Sequence, residues 1–97
     1  MSLKNGNSAS VIHFPSTLDA LQMVRLKPQL TRLLNRHPRL LLLDLAETRK
    51  VNLAGLGILV DRLKQYQTGQ SEVRFSNVSP QVHRTLVRAG MNGFLSS

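Results

Sequence analysis

Cysteine is absent from this chain of 97 residues, which excludes disulfides, thiolate zinc sites and thiol catalysis, although it does not by itself fix a compartment. Carboxylates are scarce: five Asp and Glu stand against thirteen Lys and Arg, a formal net charge of +8. Long apolar runs are missing too. No segment approaches the roughly 20 apolar residues that a membrane span needs, and the N-terminus lacks the charged-then-apolar order of a secretory signal. A cytoplasmic chain without membrane insertion is expected.

The patterns of common catalytic centres are also missing. His13, His37 and His83 lie far apart, with no ligand pair at i, i+4 and no HExxH-like spacing, so no metal site is expected. Asp44 and Glu47 come without a base, a nucleophile and oxyanion donors in a recognisable set, and Asp44 reads as a residue that fixes a loop. Gly55 and Gly57 are not followed by Lys-Ser or Lys-Thr, so nucleotide hydrolysis has no support. Neither an enzyme nor a resident cofactor is expected.

What is present is enough for one small globular domain, with a hydrophobic content of 41%. Residues 1–9 read as a loose polar lead-in and 10–97 as a single domain. Nine of the thirteen cations are arginine, which favours bidentate contacts to carboxylates or phosphates on an acidic partner. They are scattered along the chain and form no single nucleic-acid stripe.

The periodicity implies alternating strands and helices. Ser10 to Phe14 alternates apolar and polar and is bounded by Pro15, as in a short strand. An apolar stripe follows, and Pro28, which belongs in a first turn, predicts a regular helix from about Leu26 to Arg36 after a looser turn. Leu40 to Leu45 is the run of a central strand buried on both faces of a parallel sheet. Leu56, Leu59, Val60 and Leu63 mark the buried stripe of a helix from Gly55 to Gln67, stopped by Gly69. Glu72 to Ser76 alternates as a third strand, and Ser79-Pro80 opens a helix that Gly90 closes. Phe94 and Leu95 should fold back onto the core. The expected fold is α/β, a small mixed or mostly parallel β-sheet with helices packed against it.

The functional rim should be Ala46 to Gly55, at the carboxyl end of the central strand. The first turn of the helix after it offers unpaired amides and a partial positive charge to acidic groups, with Arg49 and Lys50 alongside. In the plainer reading Asn52 caps that helix and both cations are merely solvated. With Leu56, Leu59, Val60 and Leu63 inward, Ile58 should point outward on the side of Ala54 and Arg62. Leu53, Ala54 and Ile58 would then form an apolar spot rimmed by Asn52 and Arg62, fit for a partner or for a second copy of the domain. Arg84 and Arg88 either extend that edge or are solvated. Self-association through the edge strand at Val11 to Phe14, which would give a homodimer, is a further expectation.

The runs LLLLDLAETRKVNLAGLGIL and FSNVSPQVHRTLVRAGMNGFL resemble the STAS domain, the sulfate transporter and anti-sigma factor antagonist family, over roughly Val11 to Leu95. Gly55, Leu56, Gly57, Ser79, Pro80 and Gly90 carry the likeness. Where the family has Asp-Ser-Ser before the glycine, this chain has Asn52, Leu53 and Ala54. The resemblance implies a bacterial signalling module. It also implies that the position of Ala54 is the one at which a Ser or Thr is phosphorylated by a partner kinase that is also the anti-sigma factor. A methyl group cannot accept phosphate, so that switch is lost unless Thr48 or another residue replaces it.

Three functions are consistent with these readings. The first is an anti-sigma factor antagonist-like module, regulating transcription by binding a kinase-like anti-sigma partner through Arg49, Lys50, Asn52, Leu53, Ala54, Gly55, Ile58 and Arg62. The second is an accessory subunit contacting the ATPase of a lipid-transporting ABC system. The third is a basic module for nucleic acid or an anionic membrane surface.

Overall fold

The computed structural model describes residues 9–66, 72–91 and 93. Five strands and three helices alternate along it: β1 (Ala9–His13), β2 (Thr17–Leu18), α1 (Ala20–Asn35), β3 (Leu40–Asp44), β4 (Lys50–Val51), α2 (Leu53–Tyr66), β5 (Glu72–Ser76) and α3 (Pro80–Arg88). β1, β3 and β5 form a parallel sheet with β3 in the middle, in the order β1-β3-β5. Right-handed crossovers taken in one direction across such a sheet place α1 and α2 on the same face. The expected α/β architecture is present.

Register decides which side chains meet. Ile12, Leu43 and Phe75 lie in one row, and Leu41 and Val73 lie beside each other in the row below; all five are buried. Leu30 and Leu34 of α1, Leu59 and Leu63 of α2, and Val82 and Leu86 of α3 complete the core. The opposite face carries the row Val11, Leu42, Arg74, in which Val11 is 44% exposed, Leu42 half-buried and Arg74 exposed and ion-paired with Glu72. β3 is therefore covered fully on one side only, and the expectation of burial on both faces is corrected. A run of leucines has no period-2 signal of its own; its neighbours β1 and β5, alternating polar and apolar, carry the information that one face meets water.

α1 also departs from expectation. It starts at Ala20, six residues before the predicted Leu26, and Pro28 lies inside it. Asp19 caps it, its side chain accepting from the backbone N–H of Gln22 at 2.9 Å. Met23, Leu30 and Leu34 bury one stripe. Pro28 deprives the Val24 carbonyl of its partner, but both residues are exposed, so water can serve that oxygen. Tertiary burial of the stripe outweighs the local penalty.

The remaining helices start close to where they should. α3 opens with Ser79 accepting from the Val82 N–H at 3.2 Å. It ends at Gly90, whose φ of 78° lets the Met91 N–H reach back to the Leu86 carbonyl at 3.0 Å. α2 begins at Leu53, two residues before the predicted Gly55. The proposed stop at Gly69 and the return of Phe94 and Leu95 onto the core lie outside the described residues.

Candidate functional site

At the carboxyl rim of the sheet, Asp44 ties three segments together. Its Oδ1 accepts from the Ala46 N–H at 3.0 Å and from Asn77 Nδ2 at 2.9 Å, while its Oδ2 lies 2.7 Å from His13 Nδ1. An ionised carboxylate only accepts, so His13 donates here. These contacts hold the Asp44 pKa below its ordinary value: the Asn77 hydrogen bond contributes most, then the Ala46 amide, burial opposes them, and His13 adds the smallest lowering effects. Since the folded-state pKa lies below the unfolded one, the contribution to stability is complete above about pH 4 and is lost as pH falls through the folded value. Urea midpoints measured at about pH 6 and about pH 3 should therefore differ more in the wild type than in an Asp44→Asn variant; equal acid sensitivity would deny Asp44 this role.

The loop beyond Asp44 is stitched to residues 15–18. Thr48 is 2% exposed, and its hydroxyl donates to the Pro15 carbonyl at 2.8 Å. The Ser16 carbonyl accepts from both Arg49 and Lys50 N–H groups at 2.8 and 3.1 Å, and β4 then pairs with β2 in parallel. Lys50 thus belongs to a short strand. Thr48 is a structural anchor, its hydroxyl buried and engaged by the Pro15 carbonyl. Asn52 ends the loop: its N–H donates to the Leu18 carbonyl at 2.9 Å, its Oδ1 accepts from the Ala54 N–H at 2.7 Å, and its carbonyl accepts from the Leu56 N–H at 3.0 Å. The capping role read for Asn52 is present.

Five of the predicted site residues, Arg49, Lys50, Asn52, Leu53 and Ala54, are exposed at this rim. Leu53, at 67% exposure, is the most exposed of the large hydrophobic residues among those described. Neither Arg49 nor Lys50 is paired with a carboxylate among the described residues. Gly55 is buried, and a Cβ built on it would stand 2.8 Å from backbone atoms of Leu18 and Asp19. Ile58 is half-buried and packs against the core, which corrects its outward placement; Arg62 is half-buried as well. The reason is that α2 lies against α1 as well as over the sheet, so the covered arc is wider than one apolar stripe.

Two concavities flank the start of α2. One, of about 460 Å³, lies between the β2–β4 pair and α3; Thr17, Asp19, Asn52, Gln81 and Thr85 line it with Arg49 and Lys50. The other, of about 320 Å³, is more apolar, shaped by Leu53, Leu56, Val60, Ala89 and Met91 with Asp61 at its edge. Thr17, Asp19, Gln81 and Thr85 escaped the sequence reading. With Val82 and Leu86 inward, Gln81 and Thr85 follow on one flank of α3, but what that flank faces is a long-range matter.

The rim does not assemble a hydrolytic triad. Ser76 pairs in register with Asp44 on the side away from His13, so β3 separates the hydroxyl from the imidazole by two strand spacings, about 10 Å. Among the described residues no three His, Cys, Asp or Glu side chains could share a metal ion, and no helix is long and apolar enough to cross a membrane.

Comparison with known proteins bears on this arrangement. The unphosphorylated form of the anti-sigma factor antagonist SpoIIAA superposes with a TM-score of 0.71 at 13% identity, over 97% of this chain and 83% of that one. The phosphorylated form of the Bacillus cell fate determinant SpoIIAA gives 0.68 at 12% identity, over 97% and 86%. A sulfate transporter family protein from Wolinella succinogenes gives 0.65 at 19% identity, over 87% of this chain and 66% of its own. No curated protein matches at the level of sequence. These likenesses show a shared fold, and the family profile described as the STAS domain matches residues 1–96. The chain belongs to the STAS domain family.

Proposed function

We propose that this chain is a non-catalytic STAS interaction module, similar to an anti-sigma factor antagonist, that binds a kinase-like regulatory partner through the start of α2 without phosphorylation at Ala54. The observation that carries this reading is Leu53: a leucine 67% exposed on the first turn of a well-capped helix, between a polar concavity rimmed by Arg49 and Lys50 and an apolar one. An exposed aliphatic beside unpaired cations suits a partner with an apolar anchor and acidic neighbours. Asp44, Thr48 and Asn52 hold the loop in place before any partner arrives, so little ordering entropy opposes docking.

The absence of a hydroxyl at residue 54 supports a contact whose strength is constant. Incubation with a kinase-like partner and ATP should leave the segment from Leu53 to Gly55 unmodified by mass spectrometry. Leu53→Asp should weaken binding of that partner by about 2 kcal/mol, roughly 30-fold, with an unchanged unfolding midpoint, because it puts a charge at the centre of the contact. Titration calorimetry with the purified partner checks this; unaltered affinity would remove the α2 start from the interface.

A second reading rests on the same missing hydroxyl. A permanent subunit contact needs no toggle, so an accessory subunit seated on the ATPase of a lipid-transporting ABC system would use this surface equally well. Stable co-purification with such an ATPase, and not with a soluble kinase-like protein, selects it.

A further inference from the structure

The outer face of α1 has no part in the site above. Projected at about 100° per residue, its exposed arc has Val24, Asn35, Pro28 and Leu21 in the middle, Arg32, Arg25, Arg36 and Gln29 along one flank and Lys27 along the other. Leu21 is 57% and Val24 60% exposed. No carboxylate occurs in the sequence between Asp19 and Asp44, and none of these four cations makes an ion pair among the described residues. Single exposed aliphatics are ordinary on protein surfaces. Here two stand one turn apart, beside a proline and among unneutralised cations, Leu21 nearly opposite the stripe of Met23, Leu30 and Leu34 and Val24 about 100° to one side of it.

We propose that this face of α1 docks the domain on a membrane surface rich in anionic lipid, with Leu21 and Val24 entering the headgroup boundary and Arg25, Lys27, Arg32 and Arg36 reaching lipid phosphates. Cations flanking an apolar centre are the layout of an interfacial helix: long basic side chains reach outward to phosphate while the aliphatic groups sit deeper. A nucleic-acid backbone offers nothing to the two aliphatics. Neither concavity at the rim is lined by a residue of α1, and an acidic protein in place of the bilayer is an outcome that the test distinguishes. The start of α1 lies against the start of α2 at Asp19 and Gly55, so the two surfaces are neighbours.

The test uses the full-length chain with vesicles of phosphatidylcholine alone or mixed with phosphatidylglycerol. Co-sedimentation should occur with the mixed vesicles and fade with added salt. The double variant Arg25→Glu with Arg32→Glu should bind at least about tenfold more weakly, and Leu21→Ser several-fold more weakly, with circular dichroism unchanged. Because the chain contains no tryptophan, Leu21→Trp provides a single fluorophore at the contact, expected to shift to the blue on mixed vesicles and not on phosphatidylcholine. An unshifted spectrum together with no co-sedimentation overturns the proposal. So does binding that tracks the arginines but ignores Leu21 and is matched on polyglutamate or DNA, which would reassign the face to an acidic macromolecule. Leu53→Asp leaves this vesicle binding intact, so its outcome and that of the partner titration are independent.

Discussion

Gly55→Ala is expected to destabilise the domain by about 3 kcal/mol or more, at the upper end of what overpacking does. Glycine is a poor helix former, and in an open position its replacement by alanine stabilises. Here the added methyl would stand 2.8 Å from Asp19 Cα, Asp19 C and the Leu18 carbonyl oxygen. All three are backbone atoms, so no side chain can swing aside. Leu18 is held by β4 through pairing and by the Asn52 N–H, and Asp19 caps α1. Relief would have to displace the start of one helix from the other. For a domain of this size the thermal midpoint should fall by roughly 10–20 °C.

Gly57→Ala provides the control. A Cβ there meets nothing within 4 Å, so the same substitution two residues later should raise stability by about 0.5–1 kcal/mol. Urea unfolding of both variants checks the contrast. Losses below about 0.5 kcal/mol for Gly55→Ala would mean that α2 does not approach Leu18 and Asp19 as closely as the structure places it.

Leu43→Ala should cost about 3 kcal/mol, the middle of the range for a buried leucine, whereas Leu42→Ala should cost about 1 kcal/mol. The two residues are neighbours on the central strand, with identical side chains. Leu43 is fully buried in a row with Ile12 and Phe75 beneath the helices, and truncation leaves a cavity that the parallel ladder cannot close. Leu42 is half-buried between Val11 and Arg74 on the other face, where water reaches part of the side chain already. Equal losses at both positions would indicate a sheet covered on both sides. Equilibrium unfolding with unchanged m-values separates these outcomes from effects on the unfolded chain.

Much of this architecture can be read locally. Ser79 and Pro80 announce α3, and Gly90 ends it through a left-handed backbone that other residues adopt reluctantly. The short strands at Ser10–Phe14 and Glu72–Ser76 were legible from alternation, and Asn52 from its capping chemistry. Ile58 packs against the core although a helical wheel with one buried stripe turns it outward, since α2 meets two neighbours, the sheet and α1. Pro28 weighs less in the folded helix than its local chemistry implies. Its penalty is local and modest where water can reach the freed carbonyl, while the stripe through Met23, Leu30 and Leu34 gains its stability from distant strands.

Residue types and their short-range order were sufficient for the α/β alternation, the caps at Asn52 and Ser79, the family and the absence of a hydroxyl at Ala54, because each depends on chemistry within a few positions. Which face of β3 meets water, which glycine is pressed against a neighbouring segment, that Thr48 is sealed under Pro15, and that Gln81 and Thr85 join Arg49 and Lys50 around one concavity all depend on chain segments about 30 residues apart along the sequence. No local pattern encodes such a meeting. It follows from how three helices share the space on one side of a small sheet, and packing of that kind is a property of the whole chain.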